Sequence, residues 1–214
     1  MSLSIQKITH IETQKNTPSR KNIYIDGVFA FGLHEEIVYQ NFLHEGDALD
    51  DTLAHKLMLE DEVFRAKHKA RSLLSYRMRS VKEIRDKLSQ KKFSEPAIDQ
   101  LIQDFLNVGL LNDTQFAQAY VQTRLIQKPI SRRLMSTELK QKGISEKDAQ
   151  AAIDEQYFES DFEIALALAN KRVVRYKGEE PLKVKKKVSD FLTRRGFEWG
   201  VISEVLGETK LFDA

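Results

Sequence analysis

The sequence predicts a mainly α fold: three tandem three-helix repeats of helix-turn-helix type in an elongated array, preceded by a small N-terminal β-hairpin domain. Three observations predict it. The hydrophobic pattern changes from strand-like alternation to a helical period near Asp50. A helix–helix–turn–helix pattern then recurs three times, at a spacing of roughly 50 residues. Ahead of both, Asp26-Gly27 lies between two β-rich runs and supplies the positive φ that a two-residue hairpin turn needs.

Along the chain, "SIQKITHIET" sets Ile5, Ile8 and Ile11 in an extended segment, and "KNIYIDGVFAFGL" forms the hairpin. Ile23 and Ile25 fall on one face of its first strand and Tyr24 on the other. "LHEEIVYQNFL" reads as a short helix. No Gly or Pro interrupts Asp50 to Arg79, where Val63, Phe64, Ala66, Ala70, Leu73 and Leu74 recur at helical spacing. One long helix is expected there. The expected organisation is a β-rich domain over 1–49, the long helix and first repeat over 50–112, a second repeat over 113–160 and a third over 161–214.

The repeats are visible in register. Leu88, Leu139 and Leu192 correspond, with Phe93, Ile144 and Phe197 five positions on and Ile84, Met135 and Val188 one turn earlier. In the helix that follows, Ile98, Leu101 and Ile102 match Ala149, Ala152 and Ile153, then Ile202, Val205 and Leu206. Upstream, Ala70, Leu73 and Arg77 match Ala117, Tyr120 and Arg124, then Ala165, Leu168 and Arg172. Ser80 with Glu83 forms a capping-box pattern, and Ser145 with Asp148 imitates it. Pro96 sits where a first helical turn tolerates proline. Gly143 and Gly196 stand where a helix end calls for a left-handed residue, whereas the first repeat has Lys92 there.

The net charge of +2 conceals strong segregation. Arg65 to Lys92 holds eleven Lys/Arg against two acids, and Glu45 to Glu62 holds seven acids against one lysine. Arg124 to Lys142 has six bases and one acid, and Ser145 to Glu163 one base and seven acids. Lys171 to Arg195 has ten bases and three acids. Each repeat thus sets a basic middle helix before an acidic third helix, a pattern that speaks to surface field and partners. The candidate interface residues are Arg71, Arg77, Arg79, Lys82, Arg85 and Lys91 in the first repeat. They continue as Arg124, Arg132, Arg133, Lys140 and Lys142 in the second, and Arg172, Lys185, Lys186, Arg194 and Arg195 in the third. Aligned in a stack they form one basic strip, which suits nucleic-acid phosphates or an acidic protein surface. Sequence reading in a major groove is disfavoured, because the third helix carries the wrong charge.

Little argues for catalysis. The chain has no cysteine, which removes disulfides, thiolate metal sites and a Cys nucleophile. The five histidines, His10, His34, His44, His55 and His68, show no metal-ligand spacing. Glu35-Glu36 and Glu179-Glu180 are chain neighbours whose side chains diverge. No enzyme activity, cofactor or metal is expected. With no run of ~18 apolar residues and no signal-like start, a cytoplasmic protein without membrane contact is expected.

The stretches "LLSYRMRSVKEIRDKLSQKKF", "LLNDTQFAQAYVQTRLIQKPISRRLMSTELKQKGI" and "VSDFLTRRGFEWGVISEVL" resemble the RecX regulatory proteins of bacteria. The resemblance spans about residues 60 to 210. Its most telling residues are Asp113, Phe116, Ala117, Tyr120, Val121, Arg124, Glu138, Leu139, Lys142, Gly143 and Ile144. Lys128 replaces the glycine usual before Pro129, and Lys92 the first turn glycine. The N-terminal hairpin region looks like the extension of longer members. The resemblance implies a non-enzymatic modulator of the recombinase RecA. Such a protein acts on RecA and its single-stranded DNA filament and damps strand exchange, ATP hydrolysis and repressor self-cleavage. It implies a monomer that also contacts single- or double-stranded DNA. The other expectation is a stand-alone helix-turn-helix protein that binds nucleic acid without RecA.

Overall fold

The computed structural model describes residues 6–176 and 178–208; Ile5, read as part of the first extended segment, lies outside them. The chain divides into two compact units, Met1–Met78 with Ile84–Leu110, and Arg79–Glu83 with Leu111–Ala214.

In the first unit, β1 (Gln6–Thr13), β2 (Arg20–Ile25), β3 (Val28–His34) and β4 (Ala48–Leu49) form an antiparallel sheet in the order β3-β2-β1-β4. The expected hairpin is the β2–β3 pair, and Asp26 (φ 48°) and Gly27 (φ 83°) give its turn two positive φ values. The domain is more than a hairpin, because β1 and β4 extend the sheet. At two residues, β4 is too short to show an alternation in sequence. Ile8, Ile23, Leu33 and Leu49 pack with Ile37 and Val38 of α1 (Glu35–Gln40) and with Leu57 of α2 (Asp51–Leu74).

Buried Asp61 ties sheet to helix. Its carboxylate accepts from Arg20 at 3.1 and 3.2 Å, from the His34 backbone N–H at 2.7 Å and from Arg65 Nε at 2.8 Å. Three donors from two layers converge on one anion, the arrangement that makes a buried charge tolerable.

α2 begins at the Asp50 cap, whose carboxylate accepts from Leu53 N–H at 2.7 Å. It stops at Leu74, five residues short of the uninterrupted pattern. Residues 75–80 leave the helix, and Ser80 accepts from the Glu83 N–H at 3.1 Å to start α3 (Val81–Gln90). Ser, Tyr and Arg in this stretch are permitted in a helix, so no breaker announces the end. Next comes α4 (Glu95–Asn107), with Pro96 in its first turn. The Ser94 cap gives its hydroxyl to Glu62 of α2 at 2.6 Å, and its N–H donates to the same carboxylate.

The second unit holds α5 (Asp113–Gln127), α6 (Arg132–Gln141), α7 (Glu146–Gln156), α8 (Asp161–Val173), a 3₁₀ turn (Val174–Tyr176), α9 (Pro181–Arg194) and α10 (Trp199–Glu208). Met135, Leu139 and Ile144 share one buried cluster with Val188, Leu192 and Phe197. Ile84 and Leu88 are likewise fully buried, so the register read from the sequence is the register of the core. Ala70, Ala117 and Ala165 are completely buried too; a small side chain there lets the neighbouring helix approach. Ser145 caps α7, and Ser160 with Glu163 makes a full capping box on α8 that the sequence reading passed over. Among the described residues no helix is long and apolar enough to cross a membrane.

Candidate partner interface

The middle-helix starts share one device. Ser80, before α3, is fully buried and donates its hydroxyl to the Lys142 carbonyl at 2.6 Å, at the end of α6. Ser131, before α6, is fully buried and donates to the Gly196 carbonyl at 2.7 Å, past the end of α9. Each seam has a second bond: Val81 N–H donates to Asp113 at 2.8 Å, and Arg132 N–H to Asp161 at 3.1 Å. A first-turn N–H is thereby capped by the first residue of the next repeat's opening helix. Burial raises the proton affinity of Asp113, while the Val81 bond holds it down.

The turn glycines serve these seams. Gly143 (φ 83°) and Gly196 (φ 84°) are left-handed, and a Cβ on them would lie 2.6 Å from Lys82 Cβ or 2.4 Å from Leu134 Cβ. Lys92 also adopts a left-handed φ, of 63°, on an exposed turn. Conformation alone therefore admits a non-glycine residue; close approach is what excludes one.

Several expected interface cations are occupied inside the protein. Arg124 grips Glu138 with two hydrogen bonds, Nε at 2.9 Å and Nη2 at 2.7 Å, and Tyr120 Oη donates to the same carboxylate at 2.7 Å. The Arg124 bonds hold the Glu138 carboxyl below its ordinary range. Burial first, and Glu138 second, push the Tyr120 phenol up to about 12. Lys142 pairs with Glu83 at 2.7 Å and lies 5.0 Å from the Tyr120 ring centre. Arg132 donates to the Tyr157 and Glu159 carbonyls and covers the Tyr157 ring, closing the end of α7. Arg85 reaches Glu95 at 2.7 Å and Asp99 at 2.5 Å on α4, and Asp99 chiefly raises its proton affinity. Lys140 pairs with Glu146 at 2.8 Å. In the first two repeats, acids of the third helix, Glu95, Asp99 and Glu146, thus answer cations of the middle helix within the fold.

The remaining candidates lie nearer solvent. Arg71, Arg77, Lys82, Lys91, Arg133, Lys186 and Arg194 are exposed, and Arg79 and Lys185 are half-buried. Arg77 donates to the Met78 carbonyl at 2.8 Å, and Arg71 lies 5.9 Å from the Phe105 ring centre. Arg133 leans over the α9 turn, 3.4 Å from the Gly196 carbonyl. Arg172 and Arg195 meet at the face of Phe191. Phe191 is half-buried against the core cluster and presents its ring to both guanidinium groups. Among the described residues no group of three or more His, Asp or Glu is placed to hold a metal ion.

Four family models match in chain order. They are the regulatory protein RecX N-terminal domain over residues 6–50, and the first, second and third three-helix domains of RecX over 66–105, 112–153 and 159–206. A protein named regulatory protein RecX from Clostridioides difficile (strain 630) is 34% identical over 207 residues, covering 96% of this chain and 97% of its own. Another of that name, from Bacillus subtilis (strain 168), is 32% identical over 201 residues, 94% of this chain and 76% of its own. The crystal structure of a regulatory protein RecX superposes with a TM-score of 0.69 at 30% identity, over 95% of this chain and all of that one. That of RecX from Lactobacillus salivarius gives 0.58 at 26% identity, over 71% of this chain and 99% of its own.

Proposed function

The chain belongs to the RecX family of regulatory proteins, and from that premise we propose that it binds RecA and the RecA filament on single-stranded DNA, restraining recombinase, ATPase and co-protease activity. The observation that carries the reading is the basic middle helix repeated in register, α3, α6 and α9, with Lys91, Arg133, Lys186 and Arg194 exposed on or just beyond those helices. Contacts spread over several such helices suit a partner that itself repeats, because each engaged site raises the effective concentration of the next. The work is binding, with no enzymatic step and no cofactor, done by a cytoplasmic monomer.

The alternative of a free-standing helix-turn-helix reader fits less well. Such a protein needs its third helix free to face bases. Here Glu95, Asp99 and Glu146 of α4 and α7 hold middle-helix cations. That alternative requires tight binding to one DNA sequence without RecA.

The test is a titration into RecA assembled on single-stranded DNA, following ATP hydrolysis and repressor self-cleavage. Both rates should fall with added protein. Rates unchanged at saturating concentration, with no retention on filament-coated beads, would remove the reading.

A further inference from the structure

Among the described residues, the third repeat gives no carboxylate partner to two cations whose counterparts the second repeat neutralises. In register, Arg172 stands where Arg124 stands, and Arg195 where Lys142 stands. Arg124 is answered by Glu138, and Lys142 by Glu83. The corresponding positions are Phe191 and Leu134, which carry no charge. Among the described residues, no carboxylate lies within ion-pairing distance of Arg172 or Arg195.

Both guanidinium groups turn to the same ring instead. Each Cζ lies 5.0 Å from the centre of Phe191, and Arg172 lies 5.5 Å from that of Tyr176. Arg172 Nε is buried without an acceptor. Arg195 has the Pro129 carbonyl, at 2.7 Å, as a side-chain partner. Burial, then the nearby Arg124 and Arg172, lowers its proton affinity. An aromatic face offsets part of the lost hydration of a cation but neutralises none of its charge.

We infer that Arg172 and Arg195 form a binding site for the phosphodiester backbone of nucleic acid, organised around Phe191. Guanidinium groups meet phosphate oxygens through paired N–H donors, and two such groups held at one ring are oriented before the ligand arrives. A polyanion is favoured over a lone carboxylate by the setting, since α9 carries five Lys/Arg against Asp190 alone. The inference deepens the filament reading and rests on it for its biological setting, by giving the DNA strand a place on the third repeat.

The test installs the missing carboxylate. Phe191→Glu sets an anion where Glu138 stands in the second repeat, and Phe191→Gln removes the ring without adding charge. Binding of a fluorescent thirty-nucleotide oligothymidylate is measured without RecA across a salt series, with circular dichroism verifying the fold. The wild-type chain should bind with strong salt dependence. Phe191→Glu should weaken binding about tenfold and reduce the log–log salt slope by about 1.4, two phosphate contacts on a single strand. Phe191→Gln should lose clearly less affinity than Phe191→Glu and keep the wild-type salt slope, because orientation is loosened while both charges remain, and Arg172→Gln should lower the slope by about 0.7. Phe191→Glu binding like the wild type would overturn the site, as would Phe191→Gln falling equally far. Polyglutamate competing as well as polyphosphate would overturn it in favour of an acidic protein surface. RecA ATPase, followed in parallel, separates the two readings: inhibition by wild type with no oligonucleotide binding sinks this site and leaves the filament reading standing.

Discussion

Ser131 Oγ donates to the Gly196 carbonyl at 2.7 Å across 65 residues of chain, and a Cβ on Gly196 would stand 2.8 Å from that same oxygen. The hydroxyl and the missing side chain are two halves of one contact. At the other seam Ser80 donates to the Lys142 carbonyl at 2.6 Å, and a Cβ on Gly143 would stand 2.6 Å from Lys82 Cβ.

The glycines are therefore not interchangeable with Lys92. Gly143→Ala and Gly196→Ala should each cost about 2 kcal/mol or more, from a strained left-handed backbone together with a blocked approach. Lys92→Gly should be neutral or slightly stabilising, because its turn is exposed. Urea unfolding of the three variants measures this, and a gain in Lys92→Gly as large as the losses in the two alanine variants would show that φ alone is at work.

The Tyr120–Arg124–Glu138 group makes stability depend on pH at both ends. Glu138 has its folded pKa lowered from 4.5 by Arg124, so its contribution is present above the unfolded value and is lost as pH falls through the folded one. Tyr120 has its pKa raised from 10.0 to about 12, so its contribution is present below pH 10 and is lost as pH rises towards about 12. Glu138→Gln should flatten the acid limb of a plot of melting temperature against pH, and Tyr120→Phe the alkaline limb. The neutral plateau should drop more for Glu138→Gln, which leaves Arg124 half-buried without its anion.

Asp61 is the anion on which the sheet and α2 converge. Asp61→Ala should destabilise by about 3–5 kcal/mol, the cost of stranding buried donors and a cation. Arg65→Ala, which removes a more exposed partner, should cost about 1 kcal/mol or less. Calorimetric or denaturant melts of the full chain would discriminate, and equal costs would contradict the convergence on Asp61.

Surface cations and internal cations should separate in binding assays. Reversing Lys91, Lys186 and Arg194 to Glu should weaken filament retention about tenfold or more while helicity and melting stay near wild type. Arg85, Arg124 and Arg132 reversed together should instead lower the melting temperature, since each holds partners within the chain. Undiminished retention in the first triple would show that those cations only solvate their helices.

The periodicity of Ile84, Leu88, Met135, Leu139, Val188 and Leu192 made the helical core legible, because burial follows spacing directly. The Asp26-Gly27 turn was legible for the same local reason. Contacts over long chain separation were not. Nothing in the spacing of Glu138 from Arg124 distinguishes a pair from two surface charges, so Arg85, Arg124, Arg132 and Lys142 read as candidate interface and proved to be tethered. The two residues of β4 and the end of α2 at Leu74 were equally silent, one too short for a period and the other lacking a breaker. Lys92 stood out in the sequence only as the residue at a turn where the other repeats have glycine; its φ is left-handed as theirs is, and the seams supply what sequence could not, a reason for glycine at two turns and none at the third.

The seams also have a direction. The first repeat offers a serine plug and has no glycine socket; the last has the socket and no serine at its α9 cap, where Glu180 stands. Only the middle repeat carries both. It is thus the one part of the chain that can be duplicated in tandem with every plug meeting a socket. Lengthening the family's scaffold by copying residues 113–160 is, on this grammar, a permitted sentence, and copying either end is not.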